Sequence, residues 1–351
     1  MAALLMFNRR RGRRRSQATY VHAYIRANFD PLHVLTDEAI LRKYRLCRPQ
    51  IEELVELLTP HLQRPTRRSN ALSPSVQLLA ALRFYASGSF FEVVGDGQGM
   101  SRASISRSVN AVTELLLRLL PEMAFPTTPE EIARTNHVFY AVAGIPRVIG
   151  VVDGTLIPIA RPTQNEHLYV SRKGFTALNV QVVCDGRGVF TDIVAKWPGG
   201  THDAFMWANS GLCQVAEDGD FGGCWLLGDS GYPLRPFLLP PIQQPNTDSE
   251  ARFNRAHRKT RAIVERSIGV WKQRFRCVSK TAGGLRLNPT KCCSVAVVTA
   301  LLHNMALRAN VPLPEGEGLA LDPDPPDLPN QDANPEGLEV RARLVRHMFG
   351  P

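Results

Sequence analysis

The sequence has 351 residues, 44% hydrophobic and 21% charged, which is ordinary for a globular protein and long enough for one large domain or two smaller ones. Its net charge of +10 favours a polyanionic partner, most commonly nucleic acid. No apolar run reaches the roughly 20 residues of a membrane span. The seven cysteines are odd in number and include no CxxC pair, which argues against a secreted disulfide framework and predicts free thiols.

Charge is distributed unevenly along the chain. Residues 1–29 contain seven arginines and no acidic residue, so we expect residues 1–30 to form a flexible basic arm. The cluster Arg9–Arg15 resembles a nuclear localisation signal or a nucleic-acid-binding arm, which favours the nucleus; a mitochondrial transit peptide and presence in the cytoplasm are the alternatives. Residues 311–351 contain eight acidic residues and three arginines, which predicts a disordered, acidic, Pro-rich tail. A short helix at Leu338–Met348 could dock on a partner.

Residues 31–146 have the periodicity of helices and predict an all-helical N-terminal domain. A glycine-rich link precedes the polar, basic segment Ser101–Arg107, as in a helix-turn-helix whose second helix contacts DNA. The alternative is a plain helical bundle with this segment on a solvated face. Capping residues or an early proline place the helix starts at Thr36, Pro49, Ser73, Ser101 and Thr128, the last within a capping box.

Residues 147–310 alternate between strand-like and helix-like segments. Three helices are predicted here. The first begins after Thr201 and ends at Gly211, the second follows a basic segment and carries Glu265, and the third begins after Asn288. This order predicts an α/β fold with a ribonuclease H-like catalytic domain behind the all-helical domain. The predicted strands are Val148–Val152, Ala177–Cys184, Val189–Trp197 and Trp225–Asp229, the second and third joined by a tight turn.

Four acidic residues lie at the ends or edges of these predicted elements. Asp153 and Asp229 end two predicted buried strands, Asp203 begins a helix, and Glu265 lies at the edge of a helical apolar stripe. Because sites in open sheets form at strand ends, we expect Asp153 and Asp229 to converge. Structural roles remain as alternatives. Asp153 could hydrogen-bond to the backbone of the turn after its strand, and Asp203 could be an acidic residue in the first turn of a helix that the helix dipole stabilises.

Clustered carboxylates repel one another unless cations neutralise them. Mg²⁺ and Mn²⁺ prefer all-oxygen sites, so we predict a divalent metal bound by Asp153, Asp203, Asp229 and Glu265. Two such ions would activate a water and stabilise the leaving 3′ oxygen in phosphodiester cleavage. Nearby basic residues would contact DNA phosphates, or else form a solvated face: Arg172, Lys173, Arg258, Lys259, Arg261 and Arg266.

Six short motifs follow one another along the predicted α/β region: Gly150-Val-Val-Asp-Gly-Thr155, Arg172-Lys-Gly-Phe175, Trp197-Pro-Gly199, Leu226-Leu-Gly-Asp-Ser230, Val264-Glu-Arg266 and Leu301-Leu-His-Asn304. Together they resemble the PIF/Harbinger transposases and the vertebrate nucleases derived from them. The resemblance covers about residues 35–310. It implies a DDE-type DNA endonuclease with a ribonuclease H-like domain and a divalent metal.

The resemblance also implies site residues and partners. The family's acidic positions fall on Asp153, Asp203, Asp229 and Glu265; we favour Asp153, Asp229 and Glu265 as the catalytic triad, with Asp203 as a further metal ligand. Family members work with a separate Myb-like DNA-binding protein, so sequence recognition could reside in that partner. The predicted function is a metal-dependent DNA endonuclease, either an active transposase or a domesticated one; the alternative is a catalytically silent DNA-binding adaptor. Homo-oligomerisation is also left open.

Overall fold

The computed structural model describes residues 31–63, 71–314 and 332–350. The expected basic arm and residues 315–331 of the expected disordered tail lie outside these ranges. Within them the chain forms a mixed α/β structure in which a group of helices precedes a five-stranded sheet. The prediction of a mixed α/β protein is therefore confirmed.

The first helices follow the predicted capping signals closely. The side chains of Thr36, Ser73, Ser101 and Thr128 each accept a hydrogen bond from a backbone N–H in the first turn of the helix that follows, as N-caps do. The predicted capping box of Thr128 and Glu131 is also present. The helices are α1 (Pro31–Val34), α2 (Asp37–Tyr44), α3 (Arg48–Leu62), α4 (Pro74–Ser87), α5 (Phe91–Asp96), α6 (Arg102–Leu119) and α7 (Pro129–Ala143).

The sheet has the spatial order β3-β2-β1-β4-β5. Strands β1, β2 and β3 pair antiparallel, whereas β4 pairs parallel with β1, and β5 pairs parallel with β4. The short strand β5 lies in a Pro-rich segment after β4. The strands are β1 (Val148–Pro158), β2 (Ala177–Cys184), β3 (Phe190–Pro198), β4 (Trp225–Leu227) and β5 (Leu238–Leu239).

Strand β1 is longer than expected, so the prediction that it ends at Asp153 is wrong. The antiparallel ladder with β2 continues through Asp153, which lies opposite Val182, and on to Pro158. On the other side of β1, the parallel ladder with β4 stops at Val151. Asp153 therefore lies where β1 loses its neighbour on one side, and a cleft opens there between β1 and β4.

The region between β1 and β4 contains further short helices: α8 (Glu166–Tyr169), α9 (Asp203–Ala208) and α10 (Gly211–Glu217). The N-cap of α9 is His202 and not Thr201, whose N–H remains in a turn with the Pro198 carbonyl. Gly211 begins α10 rather than ending α9, because the Ser210 hydroxyl accepts a hydrogen bond from the Cys213 N–H and caps a new helix there.

One long helix, α11 (Asp248–Arg274), carries Glu265. The basic segment from Arg252 to Arg261 lies within this helix, not before it as expected. A capping box formed by Thr247 and Glu250 starts the helix early. The buried stripe of α11 includes His257 and Thr260, which are polar, so an apolar periodicity could not reveal its first half.

The last two helices are α12 (Pro289–Arg308) and α13 (Pro335–Phe349). Asn288 caps α12 as predicted. By length and composition α12 could cross a membrane, but ten of its residues are buried inside the fold, as in the core helix of a globular protein. The helix expected at Leu338–Met348 is present within α13, and it packs on α11 of the same chain, where Arg252 Nε donates to the Phe349 carbonyl at 3.0 Å.

The core has one apolar cluster on each face of the sheet. Ile149 and Val152 of β1 contribute to the cluster beneath α9 and α10, and Val148 and Val151 contribute to the larger one beneath α7, α11 and α12. This larger cluster continues into the N-terminal helices. Residues of β1 therefore serve both layers, and the irregularity in its ladder between Val148 and Gly150 shifts the alternation of side chains by one residue. All seven cysteines are free, as predicted.

Asn304 joins α12 to the start of β3. Its side-chain carbonyl accepts from the Phe190 N–H at 2.9 Å, and its amide donates to the Phe190 carbonyl at 2.7 Å, with both groups buried.

We expect Asn304→Ala to lower the free energy of unfolding by about 2–3 kcal/mol, because two buried backbone groups lose their partners. Urea denaturation measures this. The control Asn209→Ala removes only an exposed local bond and should cost under about 0.5 kcal/mol; equal losses would contradict the assignment.

Candidate active site

Asp153 and Arg261 form the centre of the candidate site. Arg261 Nη2 lies 3.2 Å from Asp153 Oδ2, and the Gly154 N–H donates to Asp153 Oδ1 at 3.1 Å. The two side chains are only 14% and 17% exposed. A buried carboxylate needs a cation or several donors, and here the guanidinium of α11 supplies the cation.

Glu265 lies one helical turn after Arg261 on α11. The same Nη2 atom is 3.3 Å from Glu265 Oε1, so one guanidinium bridges a carboxylate of the sheet and a carboxylate of the helix. The Glu265 side chain is 49% exposed and faces the solvent side of the cleft. Asp153 and Glu265 therefore lie on either side of the Arg261 guanidinium.

Asp203 approaches β1 from α9. Its side chain is buried, and the Asn179 amide donates to its Oδ1 at 3.0 Å. A Cβ atom placed on Gly154 would lie 2.5 Å from Asp203 Oδ1, so only glycine fits beside this carboxylate. Asp203, Asn179 and Gly154 also line a cavity together with Arg172.

Asp229 lies two residues beyond β4, on the other side of the cleft from β2. It is buried, and its Oδ1 accepts a hydrogen bond from the Gly231 N–H at 2.9 Å. The neighbouring Tyr232 is fully buried, and its hydroxyl has no hydrogen-bond partner within the described residues. Burial and the charges of Asp203, Asp153 and Asp229 raise the pKa of Tyr232, so its phenol remains protonated beside these carboxylates.

The four carboxylates interact electrostatically. Burial raises the pKa of Asp153 to about 7; Arg261 opposes this rise, and Asp229, Asp203 and Glu265 add to it. Burial opposes the charge of Arg261, but Asp153, Asp229 and Glu265 together raise its pKa above the ordinary value. The other three predicted acidic residues therefore all act on Asp153.

The predicted nucleic-acid-binding residues occupy different positions around this cleft. Arg258, Lys259 and Arg266 are exposed on α11, and Arg172 is exposed at the cavity that holds Asp203. Lys173 is half-buried beside Arg172. Arg261 points instead into the carboxylate cluster. Contact of these residues with DNA stays a prediction.

The carboxylates fit a hard divalent cation by their chemistry. They offer only oxygen donors, as Mg²⁺ and Mn²⁺ prefer, and Gly154 leaves space beside Asp203 that a side chain would fill. A cation, the Arg261 guanidinium, already lies between Asp153 and Glu265. In this arrangement of side chains, the described parts of the chain contain no group of three or more His, Cys, Asp or Glu residues close enough to hold a metal ion.

The sequence assigned no role to Asn179 or Tyr232, and it predicted contact with DNA for Arg261. Asn179 holds Asp203, Tyr232 lies buried beside the aspartates, and Arg261 pairs with carboxylates rather than facing outward. Only Asn179 gave a local signal, because it is a polar residue inside an apolar strand. The partner of Arg261 is 108 residues away in sequence, and no local pattern identifies such a pair.

Comparison with known proteins places the site in a family. The family described as DDE superfamily endonuclease matches residues 152–304, a range that contains all four acidic residues. A mouse protein named "Putative nuclease HARBI1" is 39% identical over 313 residues, 89% of each chain. The human protein of the same name is 37% identical with the same coverage. The Arabidopsis "Protein ALP1-like" is 28% identical over 261 residues, 68% of this chain and 62% of its own. No solved structure matches.

The raised pKa of Asp153 makes stability depend on pH. The folded protein holds this proton up to about pH 7, whereas the unfolded chain loses it near the ordinary value of 3.8. The stabilising contribution is therefore complete below about pH 4 and is lost as pH rises through about 7. In metal-free buffer, we expect Asp153→Asn to raise the free energy of unfolding by about 2–4 kcal/mol near pH 8 and to change it little near pH 4.

Chemical denaturation at the two pH values measures this difference. The control is Asp220→Asn, which alters an exposed carboxylate and should change neither value by more than about 0.5 kcal/mol. Destabilisation by Asp153→Asn near pH 8 would show that the Arg261 ion pair outweighs the cost of burying the charge.

Proposed function

Because this chain belongs to the DDE superfamily endonucleases, among relatives that carry the HARBI1 nuclease name, we propose that it is a metal-dependent DNA endonuclease of the transposase type. One observation carries the proposal. Asp153, Asp229 and Glu265, with Asp203 beside them, surround the cleft where β1 and β4 part, and their charges interact. A buried cluster of this kind is costly unless it binds a cation.

The sheet supports a ribonuclease H-like assignment for the catalytic part. Three antiparallel strands are followed by strands parallel to β1, with the order β3-β2-β1-β4-β5. In this arrangement the first strand is central, so Asp153 is held from the β2 side while its other side faces the cleft. Asp229, at the end of the adjacent β4, then lies across that cleft.

The chain's own residues define how the site would work. Asp153, Asp229 and Glu265 would hold divalent ions, with Asp203 as a further ligand that Asn179 keeps oriented. When bound, two such ions would supply activation of a water and charge stabilisation for the leaving 3′ oxygen. Arg261 would leave its bridging position as metal enters and could then pair with a DNA phosphate, which a guanidinium binds well.

DNA would approach across the exposed face of α11. Arg258, Lys259 and Arg266 present positive charge beside Glu265, and the whole chain carries +10. Phosphate contacts of this kind give affinity without sequence specificity and weaken with salt. We therefore propose that recognition of sequence resides in a Myb-like DNA-binding partner, and that the protein acts in the nucleus.

A second candidate function is a silent DNA-binding adaptor derived from a transposase. The observation that favours it is the Arg261 bridge, because this guanidinium already neutralises Asp153 and Glu265 as a structural ion pair would. All four carboxylates are nevertheless present, and a structural ion pair requires only two of them. The nuclease is therefore the better-supported function.

Nicking of supercoiled plasmid by the full chain with Mg²⁺ or Mn²⁺, with and without a Myb-like partner, tests the proposal. We expect Asp153→Asn, Asp229→Asn and Glu265→Gln each to reduce the nicking rate at least about 100-fold, since each removes a metal ligand from the reacting centre. DNA affinity should be unchanged or higher because negative charge is lost. The exposed Asp218→Asn is the control and should nick as the native chain does. Bound but uncut DNA under every condition would favour the adaptor.

The Arg261 bridge predicts a competition between the guanidinium and metal. In Arg261→Gln the carboxylates lose their resident cation, so added Mn²⁺ should raise the melting temperature more than it does in the native chain, by several degrees at saturation. The metal-free variant should melt lower because repulsion is uncompensated. Differential scanning fluorimetry measures both, and Arg258→Gln, on the exposed face of the same helix, is the control. An equal Mn²⁺ shift in all three proteins would contradict the competition.

A further inference from the structure

An exposed apolar and aromatic surface lies beside Asp203, and the proposed chemistry does not use it. We call it the aromatic rim: Leu168, Val170, Trp197 and Phe205. Phe205 is 53% exposed, and Leu168 and Val170 are exposed to a similar degree. Exposed aromatic side chains beside a cleft lined with charged groups often mark a binding surface.

The two rings of the rim support each other. The centroids of Trp197 and Phe205 are 5.1 Å apart at an interplanar angle of 81°. Lys196 Nζ lies 5.0 Å from the Trp197 ring centroid and donates to the Asn209 carbonyl, so a cation is fixed at the same place. Trp197 is half-buried, with a buried Nε1 that has no partner among the described residues. Phe205 is therefore held in place by Trp197 while half its surface stays open.

The rim is connected directly to the carboxylate cluster. Phe205 follows Asp203 by two residues on α9, and Trp197 lies opposite Asn179 in the ladder between β2 and β3, so their side chains share a face of the sheet. Asn179 is the residue that holds Asp203. The Gly200 N–H donates to the Leu168 carbonyl, which brings the remaining part of the rim to the edge of the cavity that Arg172 and Asp203 line.

The combination of aromatic rings and cations favours a nucleobase as the occupant. Proteins bind single-stranded nucleic acid by stacking bases on aromatic side chains while basic residues neutralise the backbone. Here Lys196 lies over the Trp197 ring, and Arg172 lines the cavity that contains Asp203. A protein partner docking on an apolar patch would not need a cation so close to the rings. An intact duplex keeps its bases stacked on one another and could not use Phe205 in this way.

We propose that the aromatic rim binds an unstacked base of the DNA strand next to the phosphodiester held at the carboxylates. The inference rests on the proposed nuclease function and extends it to the substrate. Phe205 is the stacking residue, and Trp197 positions its ring. The site therefore prefers DNA with an unpaired nucleotide, such as a flap or a frayed end, over perfect duplex.

Affinity for two oligonucleotides, measured with the full chain in metal-free buffer, tests the proposal. One is a perfect duplex, and the other is the same duplex with a single-stranded flap containing 2-aminopurine. We expect Phe205→Ala to weaken flap binding about 5- to 50-fold and duplex binding less than about twofold, and to abolish the quenching of 2-aminopurine fluorescence. Phe205→Trp should retain both flap binding and the quenching of 2-aminopurine fluorescence. The control Tyr140→Ala removes another half-exposed aromatic residue, on α7, and should change neither.

Several outcomes would overturn the proposal. They are unchanged flap binding by Phe205→Ala, equal loss for flap and duplex, and failure of Phe205→Trp to retain binding while its thermal transition is native. Plasmid nicking separates this proposal from the nuclease assignment. If the native chain nicks plasmid and Phe205→Ala binds flaps normally, the nuclease assignment stands and base binding by the aromatic rim is refuted. If the native chain never nicks and Phe205→Ala selectively loses flap binding, base binding by the rim stands and the nuclease assignment is refuted.

Discussion

The burial of negative charge between β1 and α11 is the constraint on which the rest of the site depends. Asp153 lies in a strand covered on both faces, and its pKa rises to about 7 because ionisation there is costly. Three further carboxylates increase that cost. The Arg261 guanidinium offsets part of this cost by bridging Asp153 of the sheet and Glu265 of the helix.

The sheet and the helices place these groups with little freedom. β1 pairs with β2 from Val151 to Pro158, whereas its ladder with β4 ends at Val151, so Asp153 is held on one side and faces the cleft on the other. Gly154 then admits Asp203 from the opposite face. The long helix α11 spans the outside of the cleft and is fixed at its end, where the buried Arg274 donates to the Arg45 carbonyl of the N-terminal helices at 3.1 Å. The helical part and the sheet thus share one core.

The sequence predicted those features that depend on local interactions. Caps at Thr36, Ser101 and Asn288 were predicted because a hydroxyl or amide bonds within one turn. Four of the five strands and the grouping of the acidic residues also followed from local pattern and from the family resemblance. Some local signals were missed, namely the capping box of Thr247 and Glu250 and the cap at Ser210. The other failures depended on distant partners. The length of β1 is set by β2, and the orientation of Arg261 is set by Asp153, far away in sequence.

The central claim is that the carboxylate cluster exists to hold divalent cations. Electron paramagnetic resonance of Mn²⁺ titrated into the full chain tests it directly, because the signal of free Mn²⁺ decreases when the ion binds. The account predicts binding of one or two ions per chain. It also predicts that substitution of Asp153 by Asn abolishes this binding, and that excess Mg²⁺ competes for the same site. A native, folded chain that leaves the free Mn²⁺ signal unchanged would contradict the account.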